Sequence, residues 1–149
     1  MIFSKKGKRL ASDACKHSTV VCVTDQYSCE RLIKAGRTLA EISGTRLLVI
    51  NVSNPDLSKC DSNAIEALFS ASKEYGAVMN VYYSLDPLKT IGNCIKNEKA
   101  VNVITGIPQS ANSILNKLWS KFSSTNFFAV DDNGTLKERG DSESSSAIA

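Results

Sequence analysis

The sequence predicts an α/β domain, an open five-stranded parallel sheet with helices on both faces. Two observations carry this. Between residues 18 and 130, β-branched apolar runs alternate with segments whose apolar residues recur every three or four positions. The stretches between successive apolar runs are long enough to hold a crossover helix, and such connections give parallel strands joined right-handedly. A chain of 149 residues suits one domain. At that size roughly 70% of the unfolded surface is buried, so the core needs no covalent staples.

The elements follow in order. Residues 1–17 are polar and lack a period, so they read as a flexible arm. Residues 17–24 (HSTVVCVT) form a buried strand ending in polar residues. A loop follows, with Ser28 as the N-cap of a helix over 29–43. Its inward stripe is Leu32, Ala35, Gly36, Leu39 and Ile42, and Gly44 supplies a left-handed stop. Residues 46–52 (RLLVINV) make a second strand, with Asn51 and Ser53-Asn54-Pro55 at its polar end.

A helix over 61–75 presents Ile65, Leu68, Phe69 and Ser72 inward and stops at Gly76. Residues 78–84 (VMNVYYS) alternate in a way that places the third strand at a sheet edge. Asp86 caps the next helix and Pro87 takes its first position. Leu88, Ile91 and Ile95 face inward. Residues 101–105 (VNVIT) are the fourth strand, and 110 to about 122 a helix carrying Ile114, Leu115, Leu118 and Trp119. Residues 127–130 (FFAV) close the sheet. The predicted organisation is a basic arm (1–17), a domain (18–132) and a disordered tail (133–149).

Charge and cysteines narrow the function. The net charge is +3. Residues 1–16 hold five basic side chains against Asp13, or +4, which leaves −1 for the rest. The positive excess belongs to the arm, so a nucleic-acid face on the core is not expected. Cys15, Cys22, Cys29, Cys60 and Cys94 form no CxxC pair, and His17 is the single histidine, so no metal is expected. Cys22 reads as a small core residue and Cys29 as an unreactive thiol near a helix start. No apolar stretch approaches the roughly 20 residues that cross a bilayer. With no apolar leader behind Met1-Ile2-Phe3, the expected location is the cytoplasm and no membrane contact is expected.

In open sheets of this kind ligands bind beyond the carboxyl ends of the strands, where the strand order reverses. The segments to inspect are 24–28, 51–55, 84–87 and 105–110. In the last of these, Gly106-Ile107-Pro108-Gln109 stands where a phosphate loop would be. Glycine allows close backbone approach to an anion, whereas proline has no N–H to offer.

The first half, VVCVTDQYSCERLIKAGRTLAEISGTRLLVINVSNP, resembles a universal stress protein (UspA-like) domain, most nearly the stress-protein-like domain of KdpD sensor kinases. The resemblance spans about residues 18–130. It implies the adenine nucleotide alpha hydrolase-like sheet order 3-2-1-4-5. Nucleotide-binding members carry an aspartate at the end of the first strand and a GxxGx9G(S/T) loop after the fourth. Here Thr24 stands at the aspartate position with Asp25 one place late. Gly106 matches the first glycine, Gln109 replaces the second, Trp119 replaces the third, and Ser120 matches the final Ser/Thr. The ATP-binding loop is thus degenerate. The KdpD likeness brings cyclic di-AMP into view, although the SxS pair it needs is Thr24 and Gln26 here.

No catalytic constellation is visible, since hydrolysis or acyl transfer needs a placed base, metal or nucleophile. The leading expectation is a non-enzymatic stress-protein-like signalling module acting through protein contacts. It would be a homodimer formed along 78–84 or 127–130, with a signalling protein as a further partner. The alternative is a nucleotide sensor for ATP, AMP or cyclic di-AMP, linked to stress or potassium homeostasis. Its ligand residues would be Thr24, Asp25, Val52, Gly106 and Ser120. A weak hydrolase or nucleotidyl transferase is the least favoured reading, because the first loop lacks a Gly-rich or His-containing signature.

Overall fold

A computed structural model describes residues 16–24, 27–56, 61–106, 117, 120–122 and 124–138. Six strands form one sheet: β1 (Ser18–Val23), β2 (Arg46–Ser53), β3 (Val78–Tyr83), β4 (Ala100–Gly106), β5 (Asn126–Val130) and β6 (Leu136–Glu138). The α-helices whose bounds lie within the described residues are α1 (Glu30–Ser43), α2 (Ser62–Glu74) and α3 (Pro87–Asn97). The order is β3-β2-β1-β4-β5-β6. The first five strands pair in parallel in the expected order. β6 is a correction to the five-stranded parallel sheet. It pairs antiparallel with β5, Val130 opposite Leu136 and Phe128 opposite Glu138, and lies within the stretch expected to be disordered.

Asp131 explains why the chain can turn back there. Its backbone N–H donates to the Thr135 carbonyl at 3.1 Å. Its Oδ1 accepts from the amides of Asn133 at 3.0 Å and Thr135 at 2.9 Å. Gly134 supplies a φ of 83° that other residues adopt only with strain. A short polar strand of three residues gave no apolar alternation to read.

The core has two layers, one on each face of the sheet. Val21, Val23, Leu47, Val49, Met79, Ile104 and Val130 meet α1 and α2 on one face. Val20, Leu48, Ile50, Val103 and Phe127 meet Ile91, Cys94 and Ile95 of α3 on the other. Phe122, after helical Lys117, Ser120 and Lys121, packs on that second layer. The rest of the expected helix at 110–122, Trp119 included, lies outside the described residues.

Local rules set most helix ends. Asp61 caps α2 by accepting from the Ala64 amide at 3.1 Å, and Asp86 caps α3 by accepting from that of Lys89 at 3.2 Å, with Pro87 first in the helix. Gly44 ends α1 at φ 67°. Ser28 is not the cap of α1: Tyr27–Cys29 form a 3-10 turn, Cys29 takes the cap position, and no side chain caps it. The buried stripe of α1 is Leu32, Ile33, Gly36 and Ala40, so Ile42 turns outward at 78% exposure, as does Phe69 on α2. Gly36 is where α1 comes closest to the sheet. A Cβ there would sit 2.5 Å from Val21 Cγ2 and 3.0 Å from Leu47 Cδ1.

Candidate functional site

The two faces place the site. The chain leaves β1 through α1 to β2, and β2 through α2 to β3, along one face. It then crosses by α3 on the other face to reach β4, on the opposite side of β1. Strand order therefore reverses between β1 and β4, and in sheets of this kind the ligand crevice lies beyond the carboxyl ends of such strands.

Three expected site residues meet there. Val23 lies opposite Asn51, so Thr24 leaves β1 beside Val52 of β2. Val21 lies opposite Ile104, and β4 runs on to Gly106 alongside the end of β1. Thr24 is exposed, with Oγ1 3.4 Å from the Sγ of buried Cys29. Val52 is half-buried and packs on the α3 face with Cys22, Tyr82 and Leu88. Gly106 is not in the left-handed region, and a Cβ on it would meet no described residue within 4 Å. Asp25, Pro108, Gln109 and Ser110 lie outside the described residues. Ser120 is exposed on the helical stretch before Phe122.

The backbone at this crevice is held by polar residues within the strands. Asn51, 2% exposed, donates from Nδ2 to the Val23 carbonyl at 3.0 Å, and Ser53 Oγ donates to Asn51 Oδ1. The Ser84 amide donates to the Ser53 carbonyl at 2.9 Å, and the Asp86 amide to Ser84 Oγ at 3.0 Å. This chain of bonds fixes the ends of β1, β2 and β3 and the start of α3 relative to one another. The clue in the sequence is an asparagine inside RLLVINV, since an apolar strand admits a buried amide only where it finds partners.

Arg31 closes the flank. Its Nε donates to the Asp131 carbonyl at 2.8 Å and its Nη1 to the Ser28 carbonyl at 2.6 Å, while Nη2 lies 3.7 Å from Asp132 Oδ1. The first turn of α1 is thereby tied to the exit of β5. On the α3 face, burial pushes the Cys22 thiol up to about 12, and neighbouring Cys94 adds to the shift. Burial raises the Cys94 thiol too, with a further push from Glu98. Both thiols keep their protons at neutral pH and are poor nucleophiles and ligands. Among the described residues no three His, Cys, Asp or Glu side chains converge as a metal site, and no helix is long and apolar enough to cross a membrane.

No family model and no curated protein matches the sequence. Solved structures do match. A universal stress protein in complex with cAMP superposes with a TM-score of 0.60 at 16% identity, covering 78% of this chain and 97% of that one. The universal stress protein from Archaeoglobus fulgidus gives a TM-score of 0.57 at 18% identity, covering 74% of this chain and 90% of that one. The chain has the fold of the universal stress proteins, and its sheet includes the antiparallel strand β6.

Proposed function

We propose that this chain is a regulatory module that binds an adenine nucleotide where β1, β2 and β4 end, and that it signals through protein contacts rather than chemistry. One observation carries the nucleotide half. Thr24, Val52 and Gly106 stand at the ends of adjoining strands at the switch point, with Thr24 exposed and no described residue within 4 Å of where a Cβ on Gly106 would sit. The hydroxyl of Thr24 would take a polar group of the ligand, Val52 would pack against the base, and the bare backbone at Gly106 would admit a phosphate closely. A protein sharing this fold was solved with cAMP, which supports placing the nucleotide monophosphates first among candidates.

The substitutions at 109 and 119 argue against the family's ATP loop, because Gln109 and Trp119 stand where glycines would wrap a triphosphate. The KdpD likeness adds cyclic di-AMP to the candidates. Signalling without catalysis fits Cys22 and Cys94, whose thiols are held protonated, and the absence of a nucleophile–base pair among the described residues at the switch point.

The test is thermal unfolding with cAMP, AMP, ATP and cyclic di-AMP. A ligand at 100 times its Kd adds about 2.7 kcal/mol and raises the midpoint by several degrees. A rise with at least one monophosphate, and no accumulation of hydrolysed product, is expected. A flat midpoint for all four at millimolar concentration would end the nucleotide reading.

A further inference from the structure

We propose that Arg31 couples the loop after β1 to β6, and that β6 is a latch on the sheet edge which closes more tightly when the nucleotide site is filled. The coupling stands on the geometry of Arg31 alone. Its link to ligand occupancy rests on the nucleotide reading above.

The latch covers an edge expected to carry a partner. β6 pairs with the outer side of β5, so 127–130 is an inner strand and no longer a candidate for the dimer contact. β6 has three residues, of which Lys137 is exposed and Leu136 and Glu138 are half-buried. Leu136 packs on the core layer that faces α1 and α2. The turn before it is built on Asp131, whose carboxylate accepts from the amides of Asn133 and Thr135 and lies 3.9 Å from Lys137 Nζ. So short an edge strand belongs at the low-stability end of a fold, where segments open without global unfolding.

Arg31 reaches this turn from α1. Its Nε donates to the Asp131 carbonyl, which also accepts the Gly134 amide at 2.9 Å and so closes the turn. Its Nη1 donates to the carbonyl of Ser28, in the loop that begins at Thr24. One guanidinium thus joins the loop leaving β1 to a turn 100 residues further along the chain. Its place in α1 is otherwise unfavourable. Arg31 is the second residue of the helix, where the dipole opposes a cation. The planar fork holds its two acceptors in fixed geometry, so a shift of the Ser28 carbonyl is felt at Asp131. A ligand that orders the loop at Thr24 therefore favours the closed latch, and by linkage a closed latch favours the ligand.

Hydrogen exchange on the full chain, read over 28–33 and 131–138, tests this. Without nucleotide, Arg31→Met should speed exchange at 131–138 about fivefold and leave 78–83 unchanged. Arg31→Lys, which keeps the charge without the fork, should behave like Arg31→Met, and circular dichroism checks that both variants fold. Lys137→Pro removes a ladder donor from β6 and should speed exchange at 28–33. Added to Arg31→Met it should change 28–33 no further, because the tie is already gone. Additive effects at 28–33, or an unchanged 131–138 in Arg31→Met, would overturn the coupling. With AMP or cAMP at saturation, wild-type 131–138 should exchange about threefold more slowly, and saturated Arg31→Met should show no slowing. A nucleotide that binds the wild type without slowing 131–138 would overturn the latch. If neither nucleotide binds, the reading of the site falls and the ligand link with it, while the nucleotide-free comparison decides the coupling.

Discussion

Asn102 and Asn51 both lie inside strands, one toward the amino end of the sheet and one toward its carboxyl end. Asn102 donates to Thr19 Oγ1 and to Ser43 Oγ, both at 3.1 Å, and accepts from Asn126 at 3.4 Å. Thr19 in turn meets Thr45 at 2.6 Å. Nearby, the Glu98 carbonyl accepts from Ser18 Oγ at 2.8 Å, and the Glu98 carboxylate pairs with Arg46 at 2.9 Å. At this end the side chains satisfy one another and close the surface. Asn51 is buried as deeply, yet its bonds go to the Val23 carbonyl and to Ser53. It fixes the backbone just before Thr24, which is itself exposed. The two ends show how polar residues can either seal a sheet or hold its strand ends in register. The proposed ligand would use the second arrangement.

Substitutions can break that contrast, and the largest effect should come from the sealed end. Asn102→Ala removes the bonds to Thr19, Ser43 and Asn126 as well as leaving a void, and should cost about 3 kcal/mol in urea unfolding. The nucleotide-induced rise in melting temperature should survive it. Gly36→Ala should cost about 2 kcal/mol, because the new Cβ meets Val21 Cγ2 at 2.5 Å and pushes α1 off the sheet. Since α1 runs between the two ends, this variant should weaken the ligand response as well. Asn51→Ala should cost about 1–2 kcal/mol and, unlike Asn102→Ala, should lower nucleotide affinity in the same thermal assay.

A pH effect isolates the α3 face. Cys22 has its thiol raised in the folded state from 9.0 to about 12. In the unfolded chain that thiol ionises first, so the stability it supports is intact below pH 9 and is lost as pH climbs toward 12. Denaturant midpoints measured from pH 8 upward should fall more steeply for the wild type than for Cys22→Ala. The smallest effects on stability belong to the open end. Thr24→Ala and Gly106→Ala should change it by less than about 0.5 kcal/mol, since Thr24 is exposed and a Cβ at Gly106 meets no described residue within 4 Å. Both should nevertheless lower nucleotide affinity.

Much of this architecture can be read from the chain because apolar period and end signals are local. RLLVINV, the glycines at 44 and 76, and the Asp86-Pro87 start each determine their element within a few residues. The edge position of β3 followed from its mixed alternation. β6 could not be read, because its pairing depends on the Asp131 turn and on a partner strand rather than on its own three residues. The inward stripe of α1 held at Leu32, Ala35, Gly36 and Leu39 but missed Ile33 and Ala40 and wrongly took in Ile42, and a helix with alanine and glycine at its contact line gives a weak period to measure. That Thr24, Val52 and Gly106 fall at or next to the ends of β1, β2 and β4 was legible from where those apolar runs stop. The ties made by Asn51, Ser53 and Arg31 were not, since each reaches a group defined only by the folded topology.

Isothermal titration calorimetry of cAMP, AMP, ATP and cyclic di-AMP into the wild type and into Gly106→Val tests the central claim most directly. No described residue lies within 4 Å of a Cβ at Gly106, so the valine side chain would fill the place assigned to a phosphate, and circular dichroism checks that the variant folds. The account predicts saturable one-site binding of a nucleotide to the wild type, weakened at least tenfold by Gly106→Val, or about 1.4 kcal/mol. Equal binding to both proteins, or none to the wild type at millimolar nucleotide, would contradict it.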